Sequence, residues 1–389
     1  MRSVTVVGGS LAGLSAVRAL RAAGFDGRVT VLGDEVHRPY DRPPLSKELL
    51  SGRMSPADLA LESEDEALDA EWRLGVRAIA LHAADRAVEL AGGGLVRSDG
   101  VVLATGARAR TLPGIEGIPG VHTLRTLDDG LALAEELRPG RSLVVVGAGF
   151  IGAEVASTAH QLGLAVTVLE AQEVPMAGPL GDEMGRMLAA LHHDNGVRLM
   201  CGVGIHAVHA GRHGVDRVEL VGGRVLPADV VVVGVGAAPN VEWLEGSGVE
   251  LANGVRCDSR GATSVPGVVA VGDCASWYDP VSGGHRRVEH WTGALERPAA
   301  AVATLLGRGA TVGPPRPPYF WSDQYGRRIQ FAGAADLADE LSVEDGSLEE
   351  RSFLAVYRRA GEPVAVLGVD RIRPFTRWRR QLDALARAA

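Results

Sequence analysis

The chain has 389 residues, too many for one hydrophobic core, so two or three domains are expected. Its 40 basic and 48 acidic side chains leave a formal charge of −8, which argues against nucleic acid as a main partner. Hydrophobic residues make up 46%, yet no apolar run approaches a membrane span, so a soluble cytoplasmic protein is expected.

In chain order, Val- and Leu-rich runs alternate with amphipathic ones, the pattern of parallel sheets covered by helices. Val4–Val7 reads as a strand, Ala12–Ala23 as a helix and Val29–Leu32 as the next strand. The chain enters strand-like sequence almost at once, without the basic and apolar regions of a signal peptide, so none is expected. The acidic stretch Glu62–Glu71 predicts a solvated helix, and Val101–Leu103 a short strand ending in Ala104-Thr105-Gly106. The opening series then returns: Ser142–Val146 is a strand, Ile151–Leu162 a helix and Ala165–Leu169 a strand. This internal duplication of one supersecondary unit is the most informative feature of the chain.

Further on, Asp229–Val233 reads as a buried strand closed by Gly234–Asn240, and Val268–Val271 leads into Gly272-Asp273-Cys274. The Pro-rich stretch Gly313–Pro318 predicts a linker. Beyond it Tyr319–Phe331, Leu348–Arg358 and Val364–Val369 alternate like an antiparallel sheet, and Thr376–Ala388 predicts a final helix. The fold class is α/β: two Rossmann-like dinucleotide-binding units followed by a C-terminal α+β domain.

Each repeated unit carries a glycine loop between strand and helix. The first is GGSLAG, Gly8 to Gly13, with Ser10 where the strict pattern has glycine. Glycines there allow a tight turn and let a pyrophosphate approach the backbone at a helix N-terminus. Asp34 and Glu35 follow where a carboxylate would hold a ribose hydroxyl. The second loop, GAGFIG, has Gly147, Gly149 and Gly152 in full register, and Glu170 ends its second strand. A carboxylate there favours a free 2′-hydroxyl, and no arginine follows in Ala171-Gln172-Glu173, so NADH is expected over NADPH. Two such sites in one chain point to one flavin, FAD, and one nicotinamide.

At these motifs the sequence resembles the ferredoxin, rubredoxin and putidaredoxin reductases of the glutathione-reductase structural superfamily, over nearly its whole length. The most particular segments are GDEVHRPYDRPPLSKELL (Gly33–Leu50) and YFWSDQYG (Tyr319–Gly326). LATGARAR, LRTLDD, GVGAAPN, AVGDCA and EHWTGALE are shared more widely. The resemblance implies FAD-binding segments at 1–108 and 237–315, an inserted NAD-binding segment at 109–236, and an interface domain at 316–389. It places Gly8, Ser10, Ala12, Gly13, Asp34, Arg42, Lys47, Ala78, Thr105, Arg125, Asp273 and Trp291 at the FAD. It places Gly147, Gly149, Phe150, Ile151, Gly152, Glu154, Glu170 and Gly236 at the NAD, with Phe150 as a gate over the nicotinamide pocket.

The cysteines bear on the chemistry. Cys201, Cys257 and Cys274 are odd in number, form no CxxxxC motif and all follow the Pro43–Lys47 region, so no thiol relay beside the flavin is expected. Direct hydride transfer from NADH to FAD remains, followed by single electrons to a small iron–sulfur ferredoxin, a 2Fe–2S protein first, or a rubredoxin. Lys47, the only lysine in the chain, would stabilise reduced flavin by its charge and pair with Glu154. Trp321 has two readings, an acceptor-facing residue or core packing. The basic run Arg371, Arg373, Arg377, Arg379 and Arg380 likewise either steers an acidic ferredoxin or is merely solvated. An NADH oxidase, a quinone or radical reductase, and a redox-sensing flavin-binding protein stay open as alternatives. His206, His209 and His213 lack the partners of a metal set, and none is expected.

Overall fold

The computed structural model describes residues 1–63, 65–308 and 316–388. Two five-stranded parallel sheets lie within its first 300 residues or so, beside smaller sheets, and their orders correspond position by position. The first runs Val268–Ala270, Gly100–Leu103, Ser3–Val7, Arg28–Leu32, Ala70–Arg73. The second runs Val121–His122, Val230–Val233, Ser142–Val146, Ala165–Leu169, Arg198–Met200. Each central strand is nearly continuous valine because both of its faces are covered. Val6 lies between Val31 and Val102, and Val145 between Val168 and Val232, all buried. The duplication legible in the opening motifs thus extends to whole sheets.

The C-terminal sheet is antiparallel, in the order Tyr319–Gln324, Arg327–Gly333, Glu362–Val369, Ser352–Arg359, Glu340–Ser347. Its middle strands alternate between two cores. Phe353, Ala355 and Tyr357 pack with Met184, Met187, Leu188 and Leu191 of the helix Asp182–Asp194. Leu354 and Val356 pack with Phe375 and Leu382 of the terminal helix Ile372–Ala388. One face therefore rests on the second dinucleotide unit, which brings the Tyr319–Gly333 hairpin to the chain's central junction.

Several expected elements are corrected. Glu62–Glu71 is not a helix: among its described residues it is irregular until Ala70–Arg73 adds a parallel strand beside Arg28–Leu32 (Glu64 lies outside the described residues). Its carboxylates are tied one by one to the body, Glu62 to Arg38 and Glu66 to Arg18, both at 2.6 Å, so tertiary partners override helical propensity. Tyr319–Phe331 is two strands, because Tyr325 and Gly326 have φ of +52° and +76°, the left-handed pair of a type I′ hairpin turn. Leu348–Arg351 is a turn, and the strand before it, Glu340–Ser347, is too polar to show a hydrophobic alternation. The last helix begins at Ile372, since Pro374 is tolerated in a first turn whose N–H groups have no intrahelical partner. Of the expected linker, residues 313–315 lie outside the described residues, as does the segment boundary at 315.

Candidate active site at the junction of the two units and the C-terminal hairpin

The two glycine loops have one geometry. Gly8 and Gly147 have φ of +124° and +99°, and a Cβ on either would fall 2.0 or 2.3 Å from a backbone oxygen, of Ala104 or Gly234. Gly13 and Gly152 press against Gly8 and Gly147, with ideal Cβ positions 1.9 and 2.1 Å from their oxygens. The middle position differs. Ser10 and Gly149 have φ of −114° and −73°, which any residue adopts, so serine costs the first loop nothing. Neither helix, Leu11–Ala22 or Phe150–Gln161, has a side-chain cap, whereas Leu127–Glu136 carries a full Thr126/Asp129 capping box. Uncapped first-turn N–H groups beside a glycine loop suit a pyrophosphate, so both loops fit a dinucleotide.

A prediction follows at Gly149, where no protein atom lies within 4 Å of the ideal Cβ. Gly149→Ala should leave the unfolding midpoint unchanged, reduced backbone entropy offsetting a poorer N-cap. It should raise KM for NADH about tenfold by pushing back the pyrophosphate. An unchanged KM would place the dinucleotide elsewhere.

Several of the residues expected at the FAD are linked to one another near the first loop, and Ala78 lies apart from them in another sheet. Ala12 is buried against Gly272, whose ideal Cβ would fall 2.7 Å from Ala12 Cβ, so the turn holding Asp273 lies on the loop's helix. Arg125 donates to Asp273 Oδ2 at 2.5 Å and to the Ala107 carbonyl, bracing the chain crossing. Thr105 donates to the Asn240 carbonyl at 2.7 Å and Asn240 Nδ2 donates back at 3.0 Å. Arg42 is shared among Glu35, the Tyr40 hydroxyl and the Arg125 carbonyl. Glu35 is thereby committed to the protein, while Asp34 is exposed and paired with Arg77 at 2.8 Å. Ala78 opens the strand Ala78–His82 of a separate three-stranded sheet and packs on the first core. Trp291 starts the helix Trp291–Leu305, and its indole N–H donates to Asp41 Oδ1 at 2.8 Å. Burial holds the Asp41 carboxyl above the usual range, against that hydrogen bond and the nearby Lys47 charge.

The carboxylate expected on the nicotinamide side, Glu154, is 2% exposed on the helix Phe150–Gln161. Lys47 Nζ donates to its Oε2 at 2.9 Å, the expected pair, and Ser46 Oγ donates to the same oxygen. Its Oε1 accepts from Ser322 Oγ at 2.7 Å and from the Asp323 backbone N–H at 3.2 Å. Sequence reading missed Ser46 and Ser322; serines carry no signal until a fold places them. One turn before Glu154, Phe150 lies 4.4 Å from the Phe320 ring, which lies 5.1 Å from His290. Burial lowers the pKa of His290 to about 4. Ile151 is exposed beside the loop. Glu170 accepts from the Ala148 and Gln172 backbone N–H groups, both at 2.9 Å, which places its carboxylate at the glycine loop. Gly236, at φ +98°, accepts through its carbonyl from the Arg110 N–H.

Trp321 lies half-buried between the C-terminal core and Trp291. It packs on the C-terminal core and stacks on Tyr319 at 6.0 Å, yet its other edge meets Trp291 at 5.9 Å. The arginine run divides. Arg371 pairs with Asp345 at 3.0 Å and Arg379 lies 3.9 Å over Tyr319, while Arg373, Arg377 and Arg380 are exposed with no ion pair among the described residues. Cys257 and Cys274 are buried and free, with thiols raised by burial, and Cys201 is raised likewise. Among the described residues no cluster of three His, Cys, Asp or Glu suits a metal. His209 instead bonds Glu219 at 2.9 Å in a surface hairpin.

Comparison with known proteins identifies the family. Residues 2–297 match the family described as pyridine nucleotide-disulphide oxidoreductase, and residues 319–389 match the reductase C-terminal family. The ferredoxin reductase component of chlorobenzene dioxygenase from Cupriavidus sp. (strain PS12) is 38% identical, over 98% of this chain and 93% of its own. Rhodocoxin reductase from Rhodococcus erythropolis is 36% identical, over 90% and 82%. Among solved structures, putidaredoxin reductase in covalent complex with putidaredoxin aligns with a TM-score of 0.94 at 31% identity, over 98% and 93%. A ferredoxin reductase from Rhodopseudomonas palustris aligns at 0.91 and 34%, over 97% and 93%. By these matches the chain belongs to the pyridine nucleotide-disulphide oxidoreductase family and is an oxidoreductase.

Proposed function

We propose that the chain is an FAD-dependent NADH:ferredoxin reductase serving an oxygenase, its electrons leaving one at a time to a small 2Fe–2S ferredoxin. The observation that carries the reading is the buried Lys47–Glu154 pair, which joins the segment Gly33–Leu50 to the helix Phe150–Gln161, with no cysteine in either. Bound FAD supplies the two-electron to one-electron conversion. The chain's residues bind, orient and exclude water. Lys47 and Glu154 set the charge at the junction of the two rings, Phe150 covers the nicotinamide pocket, and Trp321 lies toward the acceptor. Gly8, Ser10, Ala12, Gly13, Asp34, Arg42, Ala78, Thr105, Arg125, Asp273 and Trp291 hold FAD; Gly147, Gly149, Ile151, Gly152, Glu170 and Gly236 hold NADH. The FAD segments are 1–108 and 237–315, the NAD segment 109–236 and the interface domain 316–389. No described helix is long and apolar enough to cross a membrane, and three free cysteines suit a cytoplasmic setting.

The test follows NADH oxidation with cytochrome c as final acceptor, with and without a 2Fe–2S ferredoxin. Ferredoxin should stimulate the rate strongly, and raising salt should slow it about tenfold if Arg373, Arg377 and Arg380 steer docking. Glu170→Gln should narrow the preference for NADH over NADPH about tenfold by removing a charge facing the 2′-position. Fast oxidation in air, indifferent to ferredoxin, would make the enzyme an oxidase or small-molecule reductase instead.

A further inference from the structure

We infer that Ser322, on the C-terminal hairpin, is a positioning residue for hydride transfer: it holds the nicotinamide-side carboxylate Glu154 in register with Lys47. The inference rests on the proposed function above for the place of NADH and FAD.

Ser322 is 0% exposed, in the strand Tyr319–Gln324. It touches two polar groups, Glu154 Oε1 at 2.7 Å and Gln324 Nε2 at 3.0 Å. A hydroxyl has one proton and an amide nitrogen only donates, so Gln324 donates to Ser322 and Ser322 donates to Glu154. With the amide turned the other way, its oxygen would compete for that proton and one contact would be lost. The relay therefore has a fixed direction, and it ends on the carboxylate.

The match between hairpin and helix has two points. Residues two apart on a strand share a face at a rise of about 6.6 Å, and residues four apart on a helix share a face at about 6 Å. Phe320 and Ser322 form the strand pair; Phe150 and Glu154 form the helix pair. Phe320 meets Phe150 ring to ring and Ser322 meets Glu154. Backbone contacts extend the seam, with the Asp323 N–H on Glu154 and the Tyr325 N–H on Ser157 Oγ at 2.7 Å. Trp321, between the two contact residues, points to the strand's other face, where it meets Trp291. The same short strand thus holds the nicotinamide-side carboxylate on one face and carries the acceptor-side tryptophan on the other. The C-terminal domain is in this sense part of the NADH site, as well as a platform for the partner.

The experiment is a double-mutant cycle of Ser322→Ala and Glu154→Gln in the FAD-loaded enzyme, read by rapid flavin reduction and by calorimetric titration with NAD+. Alone, Ser322→Ala should weaken NAD+ affinity and slow flavin reduction, each about tenfold, which is about 1.4 kcal/mol. In the Glu154→Gln background the losses should shrink to about twofold, because Ser322 then donates to a neutral amide oxygen, a weaker acceptor than a carboxylate. Equal losses in both backgrounds would mean that Ser322 acts by packing, and an unchanged affinity and rate in the single variant would remove it from the site; both overturn the inference. Ser322→Cys, nearly isosteric but a weaker donor, should fall between Ala and the parent. Neither readout involves ferredoxin, so failure of the acceptor assignment would leave this test intact.

Discussion

Lys47→Met should destabilise the protein by about 3–5 kcal/mol, because it leaves Glu154 as a buried charge without its counter-ion. The side chains of the pair are only 9% and 3% exposed, so water cannot replace the lost partner. Glu154 keeps three other donors, from Ser46, Ser322 and the Asp323 N–H, which argues for the lower end of that range. The double variant Lys47→Met/Glu154→Gln should regain most of the loss, since a neutral amide among hydrogen-bond donors and one methionine carries no buried charge. Flavin reduction by NADH should behave differently. It should fall about a hundredfold in the single variant and stay low in the double one, because preorganised positive charge is absent from both. Denaturant unfolding and rapid-mixing kinetics on the three proteins separate the two effects. A double variant as unstable as Lys47→Met would trace the loss to packing, and an unchanged reduction rate would take Lys47 out of the chemistry.

That pair also marks how far the sequence could be read. The glycine loops and their valine strands were legible because each is a local pattern whose physics acts within about 25 residues. Lys47 and Glu154 were legible only through resemblance. What stayed hidden depends on distant partners. Glu35 looked as available to a ribose as Asp34, but Tyr40 and Arg42 claim it and leave the neighbour exposed. The acidic stretch Glu62–Glu71 read as a helix until arginines from two other segments fixed its carboxylates separately. Ser322 offered no signal, since its meaning lies in a carboxylate 168 positions earlier. The hairpin tip was hidden for a different reason. Tyr325 adopts a left-handed φ that tyrosine seldom takes, held there by Ser157 and His192.

His192 supplies the other large effect, and it concerns acid. The imidazole is 1% exposed on the helix Asp182–Asp194, and its Nδ1 lies 2.7 Å from the Tyr325 hydroxyl. Its Nε2 is buried with no partner among the described residues, and no carboxylate is among the groups acting on it: burial, then the neighbouring His193, lower its pKa to about 4. Between that value and the unfolded value near 6.5, the unfolded chain binds a proton that the folded chain refuses. Stability contributed by the neutral ring is therefore intact above about pH 6.5 and is lost as pH falls, at about 1.4 kcal/mol per pH unit, to about 3 kcal/mol near pH 4. His192→Asn keeps a side chain able to meet the Tyr325 hydroxyl and removes the titration. Its unfolding free energy should start lower at neutral pH, through lost packing, and fall less steeply than the parent's toward acid. Parallel curves would mean that His192 titrates normally in the folded protein. Since His192 holds the tip of the hairpin that bears Ser322, the protection factor of the Tyr325 amide, referred to the slower intrinsic exchange in acid, should fall at a higher pH than protection in the parallel sheets. Simultaneous loss of protection in both would show that the hairpin and the nucleotide units open as one.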